Sequence, residues 1–591
     1  MIKGTFKTLL VLSVLWCTAT IASTRSSPNI VLIVADDLGF SDLQSYGSEI
    51  ETPNLDRLAS RGLRFSNYHT APSCAPSRAM LMTGVDSHRA GVGNIAESIP
   101  PEQAADPHYQ GSLNHHVVTV ATLLKEAGYR TYFSGKWHLG YQQKAQRPIN
   151  RGFDRTLMMP HSGADNWQQR PYLPVYERAH WYADGEEIQL PEDFYSSQYI
   201  VDKAMEFIDH QPDDERPFFS YISFQAVHIP VQAPAEFTNK YLDTYADGWT
   251  ALREQRQQAV KALGMVPANA PMVTMPTTPD WEALSAEDQR YHAKSMAVYA
   301  GMVDAMDAHI GRFVNYLQTV GEYDNTVFIF TSDNGAEASD PAAVSALFPL
   351  WLSMEDYHTD YDRLGEKGSY NFIGPGFASA AAGPLGHYKF YSGEGGMRVP
   401  LIISGPAVVE PAKGKITPAL AYVKDLAPTI LQLANVEHPG TEYRGRTIEE
   451  ITGSSLWPLL AGTADRVHSN DDVIAYEIGG NAALIKGPHK ILFNRGPLGD
   501  DRWHLYNIAT DPGEVHDLSQ QQPELFEELL QDYRHYVQQN GVLAMPKDYD
   551  QRRQLLDNYV REKYVQPIVE FFAHILDWFL ALLSHLWPWN P

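Results

Sequence analysis

Runs of apolar residues along the chain predict strands that are buried on both faces. Asn29–Ala35 is almost continuously apolar, and Thr326–Thr331 is a second run of this kind. Strands that do not alternate between polar and apolar positions are typical of parallel sheets covered by helices on both sides. Further strands are predicted at Tyr129–Ser134, Phe218–Phe224 and Leu401–Ser404. The pattern therefore predicts an α/β fold.

Helical periodicity predicts helices between these strands. In the longest of them, Ala293–Val320, apolar side chains recur at helical spacing, which we interpret as a core-facing stripe rather than a cofactor site. Four shorter helices are predicted as well; Pro53 and Gly62 mark the two ends of one, and Gly128 ends another. These shorter helices are predicted at Pro53–Leu63, Val120–Ala127, Ser197–Asp209 and Asp425–Ala434.

The C-terminal part of the chain has a different pattern. Short strand-like segments within Val473–Asn494 and a helix near Leu525–Val537 predict a small antiparallel sheet packed with a helix. Beyond them, residues 568–589 form an amphipathic helix with a very wide apolar face. This helix could lie in a membrane interface, pair with a second subunit in a homo-oligomer, or fold over the mouth of the functional site.

Composition limits the partners of the protein. The chain has 591 residues, of which 44% are hydrophobic and 20% charged, as in ordinary globular proteins. Its formal net charge of −25 argues against nucleic acid or an anionic membrane as the main partner. An acidic protein that binds an anionic substrate must gather its positive groups in one pocket.

The first 23 residues have the features of a signal peptide. Lys3 and Lys7 precede a short apolar core, and small residues follow at Ala19–Ser23. We therefore expect an exported protein, either periplasmic or secreted. Cys17 would be removed with this segment, which leaves Cys74 as the one cysteine of the mature chain.

The surroundings of Cys74 indicate a reactive or modified thiol. Pro72 and Pro76 stiffen the segment, and Arg78 places a cation nearby. The apolar residues Met80–Gly84 could begin a helix with the cysteine at its positive end. The alternative is a buried and inert cysteine, which is the more common state of an isolated thiol.

Acidic side chains follow two of the predicted strands. Asp36 and Asp37 come directly after the first strand, and Asp333 and Asn334 come just after Thr326–Thr331. Ligands of open α/β sheets bind beyond the carboxyl ends of the strands. These four side chains offer hard oxygen ligands, which suit Ca²⁺ or Mg²⁺ rather than zinc.

Four more polar positions are candidates only in combination. Lys136 and His138 alternate just after the strand Tyr129–Ser134, so both could point the same way from an extended chain. His228 precedes an Ile-Pro pair, and Lys389 precedes a glycine-rich turn. Each of them could be a solvated or structural residue when considered alone.

Several segments, in order along the chain, resemble motifs of the type I sulfatase family. The match extends from Asn29 to roughly Asp517 and is most similar to bacterial arylsulfatases of the alkaline-phosphatase-like superfamily. The segments are Cys74-Ala-Pro-Ser-Arg78 with Met82-Thr-Gly84, Gly135-Lys-Trp-His-Leu-Gly140, the histidine-Ile-Pro segment at 228–230, Lys389 with Glu394-Gly-Gly-Met-Arg-Val-Pro400, and Trp503–Glu514.

The resemblance implies a fold and a cofactor chemistry. The fold would be a large mixed, mostly parallel sheet flanked by helices, with a small C-terminal antiparallel sheet and helix. Residues 27–440 would be the catalytic sulfatase domain and 441–545 a smaller α+β subdomain, whereas the apolar helical tail at 546–591 departs from the family pattern. Cys74 would be oxidised to formylglycine by a maturation enzyme and would join Asp36, Asp37, Asp333 and Asn334 around one cation, usually Ca²⁺, with Mg²⁺ as the alternative.

The resemblance also implies roles in the hydrolysis of a sulfate ester. One hydroxyl of the hydrated aldehyde, held by the cation and Arg78, would attack sulfur. Lys136 and Lys389 would neutralise the sulfate oxygens, and His228 or Lys389 would protonate the leaving group. His138 would take a proton from the second hydroxyl and expel sulfate.

Three alternatives to a sulfate ester hydrolase remain. A phosphonate or phosphate ester hydrolase of the same superfamily would use the same groups. A binding protein for sulfated glycans would keep Cys74 as a thiol, and a membrane or assembly role would depend on residues 568–589. The sequence does not distinguish aryl, alkyl, steroid and carbohydrate sulfates as substrates.

Overall fold

A computed structural model describes residues 27–210, 216–273, 275, 277–496 and 499–586, so the predicted signal peptide lies outside the described residues. The strands are β1 (Asn29–Ala35), β2 (Gly62–Phe65), β3 (Tyr68–His69), β4 (Arg130–Lys136), β5 (Arg155–Met159), β6 (Tyr182–Ala183), β7 (Glu186–Glu187), β8 (Phe218–Ser223), β9 (Thr326–Ser332), β10 (Leu401–Ser404), β11 (Lys415–Thr417), β12 (Ala421–Tyr422), β13 (Glu442–Tyr443), β14 (Arg446–Thr447), β15 (Val473–Ile478), β16 (Asn481–Lys486), β17 (His489–Phe493) and β18 (Trp503–Asn507).

The α-helices fall between and after these strands. They are α1 (Pro53–Ser60), α2 (Cys74–Thr83), α3 (Val120–Glu126), α4 (Ser196–Asp209), α5 (Ala235–Thr238), α6 (Gly248–Ala262), α7 (Ala286–Thr319), α8 (Pro341–Val344), α9 (Phe348–Met354), α10 (Gly374–Ala381), α11 (Glu394–Met397), α12 (Leu426–Leu433), α13 (Trp457–Leu460), α14 (Pro523–Asn540), α15 (Gln551–Val560) and α16 (Gln566–Leu586). Every strand and helix predicted above has a counterpart, with ends shifted by up to seven residues, and the last three residues of the predicted helix 568–589 lie outside the described residues.

A mixed sheet of ten strands lies at the centre of the fold. Its order is β11-β2-β10-β9-β1-β8-β4-β5-β6-β7. The five central strands from β9 to β5 are parallel, whereas β10, β6 and β7 pair antiparallel with their neighbours. Buried apolar clusters cover both faces, which explains why β1 and β9 lack polar alternation. The predicted mixed, mostly parallel sheet is confirmed.

The parallel strands bring the predicted polar residues to one edge. β1, β4 and β9 all run in the same direction, so the residues that follow them meet at the carboxyl edge of the sheet. α7 packs into the apolar cluster on one face of the sheet with Met296, Met302 and Phe313 fully buried, which confirms its stripe as core.

The C-terminal strands β15, β16, β17 and β18 form a separate antiparallel sheet against which α14 packs. This confirms the predicted small sheet and helix. After α14 the chain continues through α15 and a π-helical turn, Arg561–Val565, into α16. Among the described residues, no helix is both long enough and apolar enough to cross a membrane.

Candidate active site

Cys74 is the first residue of α2 and lies at the carboxyl edge of the sheet. All ten residues of α2 are buried, and Cys74 itself is 2% exposed. The helix begins at the cysteine and not at Met80, because Pro76 falls in the first turn, where proline is tolerated. Cys74 Sγ is 3.3 Å from His138 Nδ1. Burial raises the pKa of this thiol, but the charges of Lys136, His138 and Lys389 outweigh it and lower the pKa to about 7.

The predicted carboxylates surround this cysteine. Ligand atoms of Asp36, Asp333 and Cys74 all lie within 4.8 Å of one another. Asn334 donates from Nδ2 to Asp37 Oδ1 at 2.7 Å, whereas Asn334 Oδ1 is buried and has no hydrogen-bond partner among the described residues. An unsatisfied buried oxygen beside three carboxylates is the donor set that a hard cation such as Ca²⁺ requires. The residues therefore fit the divalent cation implied by the sequence resemblance.

Two buried cations hold the carboxylates in place. Arg78 Nε donates to Asp333 Oδ2 at 2.8 Å, and Arg78 Nη1 donates to the Lys136 carbonyl oxygen at 2.8 Å. Lys136 Nζ lies 2.8 and 2.7 Å from the two carboxylate oxygens of Asp36. Burial raises the pKa of Asp36 despite Lys136, whereas Arg78 keeps the pKa of Asp333 below its ordinary value against the effect of burial. The positive groups thus gather in one pocket, as the acidic composition requires.

Lys136 and His138 reach the site in different ways. Lys136 ends β4, but His138 has a φ of 55°, in the left-handed region, so the extended segment predicted for both residues is wrong at His138. The expectation that both side chains face one site is nevertheless correct. The turn directs Lys136 to Asp36 and His138 to Cys74.

Lys389 and His228 form a second group beside the first. Lys389 Nζ lies 2.9 Å from Asp37 Oδ2 and 2.6 Å from Glu337 Oε2. His228 Nε2 is 3.6 Å from Asp37 Oδ2, while its Nδ1 donates to the Ile229 carbonyl oxygen. Burial, followed by the charge of Lys389, lowers the pKa of His228 well below its ordinary value. The structure therefore brings all ten sequence-predicted site residues together.

Two acids at the site were missed from the sequence. Glu97 Oε2 lies 3.4 Å from His138 Nε2, on the side of the imidazole opposite Cys74, and accepts a hydrogen bond from Tyr176. Burial raises the pKa of Glu97, but His138 outweighs it and lowers the pKa to about 2. Glu337 could have been suspected because it is four residues beyond Asp333. Glu97 follows no strand and carries no such signal.

Glu394 and Arg398 of the glycine-rich segment have a structural role. Arg398 Nη1 is 3.6 Å from Glu394 Oε2, and Lys490 Nζ of β17 is 2.9 Å from Glu394 Oε1. The Glu394 carboxylate also contacts His69 Nε2 at 3.0 Å. These buried contacts tie the small C-terminal sheet to the segment that carries Lys389.

Comparisons with known proteins agree with this geometry. A family model described as "Sulfatase" matches residues 28–436. An uncharacterised sulfatase of Schizosaccharomyces pombe is 37% identical over 88% of this chain and 95% of its own length. An arylsulfatase of Klebsiella aerogenes is 35% identical over 74% of this chain and 92% of its own length.

Among solved structures, the crystal structure of Ps i-CgsB in complex with k-i-k-neocarrahexaose is similar, with a TM-score of 0.61 and 26% identity over 86% of this chain and 93% of that chain. The family match covers most of the described residues and includes Cys74, the four metal-ligand candidates and the predicted catalytic cations and histidines. The chain therefore belongs to the sulfatase family and is a sulfatase-family enzyme, a homologue of arylsulfatases.

Proposed function

We propose that this enzyme hydrolyses sulfate monoesters with a formylglycine made from Cys74 and a bound divalent cation, Ca²⁺ or alternatively Mg²⁺. The observation that carries the proposal is the placement of Cys74 Sγ within 4.8 Å of the Asp36 and Asp333 carboxylates and 3.3 Å from His138 Nδ1. A modified residue 74 at this position would lie beside a cation and beside a base.

Fixed positive charge is the main contribution of the chain. A formylglycine hydrate at residue 74 would supply a hydroxyl nucleophile for sulfur, and the cation, when bound, would supply positive charge for the sulfate oxygens. Arg78, clamped by Asp333 and the Lys136 carbonyl oxygen, orients residue 74. Lys136 and Lys389 bind the sulfate oxygens as negative charge builds up on them. Because these groups are already held in a buried site, little reorganisation is needed during the reaction.

Proton transfers are divided between the two histidine sites. His138 takes a proton from residue 74 through Nδ1, and Glu97 holds the other ring nitrogen and stabilises the imidazolium. Lys389 and His228 line the same cavity as Cys74 and deliver a proton to the leaving oxygen. Glu337 keeps Lys389 in place for this step.

The partners of the reaction follow from the family. The substrate is a sulfate ester; one relative is named arylsulfatase, and one similar solved structure contains a neocarrahexaose. A formylglycine-generating enzyme in the producing cell is required for Cys74, and export through residues 1–23 would place the enzyme in the periplasm or outside the cell.

The test is the chemical state of residue 74 in natively produced protein. We expect the tryptic peptide Phe65–Arg78 to carry an aldehyde or its hydrate, and iodoacetamide, which tags only a thiol, distinguishes the hydrate from cysteine. The Cys74→Ser variant is expected to form a sulfated protein once and then stop, because serine has no second hydroxyl to expel the sulfate. Sustained turnover by this variant, or faster cleavage of phosphate esters than of sulfate esters by the wild type, would overturn the proposal.

A further inference from the structure

The cavity that opens onto Cys74 has largely apolar walls. Its volume is about 350 Å³, and its floor contains Cys74, His228 and Lys389. The walls come from three separate parts of the chain, namely residues 172–174, residues 345–351 and α15. The apolar side chains that they contribute include Leu173, Leu347, Phe348, Trp351, Leu555 and Leu556.

Most polar side chains in these walls are already engaged with the protein, including Arg552, which is hydrogen-bonded to Tyr391, and Ser345, which accepts from the Leu347 backbone N–H. Ser162 Oγ is hydrogen-bonded to the hydroxyls of Tyr172 and Tyr176, Ser339 donates to Glu337, and Gln551 donates to Ser98. A leaving group rich in hydroxyls would therefore find few free partners here, and its buried hydroxyls would lose hydrogen bonds to water.

A second cavity beside the first has a different character. It measures about 250 Å³ and is lined by charged and polar groups such as Asp340, Asn481, Arg495 and Asp550. Lys389 borders both cavities, but Cys74 lines only the apolar one. The alcohol that sulfur releases when residue 74 attacks it would therefore extend along the apolar walls.

The α15 wall is fixed to the active site by a buried side chain. Asn558 is 7% exposed, and its Nδ2 donates to the carbonyl oxygens of Glu97 at 3.0 Å and Ile99 at 2.9 Å. Glu97 is the acid that contacts His138. This anchor sets Leu555, Leu556 and Tyr559 against the cavity at a defined distance from the reacting groups.

We propose that the preferred substrate is the sulfate monoester of a lipophilic alcohol, with an aliphatic or alicyclic body of roughly ten carbons. This size follows from the cavity volume of about 350 Å³ if each methylene occupies ~30 Å³, the volume of a water molecule in the liquid. This inference rests on the proposed sulfatase activity and adds the class of the leaving group. Burial of apolar carbon in these walls provides the binding free energy that selects the substrate.

The test is a series of linear primary alkyl sulfates from ethyl to decyl, assayed below their micelle concentrations. Their leaving alcohols have almost the same basicity, so kcat/KM reports on contacts with the alkyl chain. We expect kcat/KM to rise about fourfold for each added methylene until the cavity is filled. A flat series in an enzyme that hydrolyses 4-nitrophenyl sulfate would overturn the inference and leave the proposed activity intact.

Variants in two walls test whether the dependence of kcat/KM on chain length arises in this cavity. Leu556→Asp in α15 and Leu347→Asp, whose side chain is 71% exposed and tolerates a charge, are each expected to reduce the decyl-to-ethyl ratio at least tenfold. Arg553→Asp is the matched control, because Arg553 is on α15 but outside the cavity, and it should keep the wild-type ratio. Equal losses in all three variants would indicate an effect of the added negative charge itself rather than of the apolar walls, and would contradict the inference.

A binding measurement separates the two proposals if no ester is hydrolysed. Alkanesulfonates of rising chain length cannot be cleaved, and calorimetry gives their affinity for the metal-loaded enzyme. Tighter binding of decanesulfonate than of ethanesulfonate, lost in Leu556→Asp and kept in Arg553→Asp, would support the lipophilic site even if the proposed activity were wrong. Equal affinities would overturn it.

Discussion

The carboxyl edge of the central sheet and the C-terminal helix α16 both reverse the usual distribution of side chains. At the sheet edge, Asp36, Arg78 and Lys136 are fully buried. On α16, Phe572 and Trp578 are 62% and 65% exposed. Soluble proteins normally bury large apolar residues such as Phe572 and Trp578, and they normally expose charged residues. The two regions differ in whether other described residues of the chain pair with or cover these side chains.

At the sheet edge the compensation is present in the chain. Arg78 contacts Asp333, Lys136 contacts Asp36, and Lys389 contacts both Asp37 and Glu337, so the buried charges are paired within the described residues. Paired buried charges are costly to disturb and are therefore held in fixed geometry. On α16, the described apolar side chains from Ile568 to Trp578 remain exposed, and the predicted membrane or oligomer contact of this helix stays a prediction. The difference suggests that substitutions at the sheet edge will be far more harmful than substitutions on α16.

Removing the divalent cation should have the largest effect. Dialysis against a chelator is expected to lower kcat/KM for 4-nitrophenyl sulfate by at least about 10³-fold, since several kcal/mol of charge stabilisation are lost. Added Ca²⁺ should restore the rate, and a Mg²⁺ titration would rank the two ions. Asp333→Asn should raise the Ca²⁺ concentration needed, whereas Asp324→Asn, at a side chain 92% exposed, should not. Full activity in the chelated enzyme would contradict the proposed site.

The second effect concerns a buried ionic contact that includes none of the candidate active-site residues. His88 lies between Asp86 and Glu477 and contacts both carboxylates. Because Glu477 belongs to β15, these contacts link the segment that follows α2 to the C-terminal sheet. Burial lowers the pKa of His88, but the hydrogen bonds and charges of these two carboxylates outweigh it and raise the pKa to about 9. A raised histidine pKa stabilises the fold below the unfolded value of about 6.5, and this stability is lost as the pH rises to about 9.

We expect this contact to contribute about 3 kcal/mol, which should appear as a fall in the apparent Tm between pH 6.5 and 9. His88→Gln should lower the Tm at pH 6.5 and flatten its dependence on pH. His115→Gln, at an exposed histidine, is the control and should follow the wild type. An unchanged pH profile in His88→Gln would show that the histidine is not charged in the fold.

Glu97→Gln should have a smaller effect, confined to catalysis. The variant keeps the size of the side chain but removes the charge beside His138, so kcat should fall about 10²-fold with little change in KM. Glu102→Gln, a nearby exposed acid, should leave both constants unchanged. A rise in KM alone would instead assign Glu97 to substrate binding.

The smallest effect is expected on α16. Phe572→Ser should change the free energy of unfolding by no more than about 0.5 kcal/mol, because the ring is already exposed. The same substitution at Phe377, which is fully buried in α10, should cost about 3–5 kcal/mol. Light scattering on Phe572→Ser would also show whether this face joins two copies of the chain. A large loss of stability at Phe572 would mean that the helix is covered in solution.

Much of the site could be predicted because it is built on strand ends. Asp36, Lys136 and Asp333 each end or follow a parallel strand, and the direction of the strands alone brings them together. Glu97 could not be predicted in this way, because it reaches His138 from a short 3₁₀ turn with no sequence signal. The α15 wall was also missed, since Asn558 and Glu97 are far apart in the sequence and meet only in the folded chain.

The burial of α2 has a consequence for the order of events in the cell. A modifying enzyme is itself a protein, and it cannot reach a thiol that is 2% exposed at the start of a helix with no exposed residue. The proposed conversion of Cys74 would therefore compete with folding. Conditions that slow folding should raise the fraction of active molecules, whereas a chain that folds before it meets the modifying enzyme would remain permanently inactive although correctly folded.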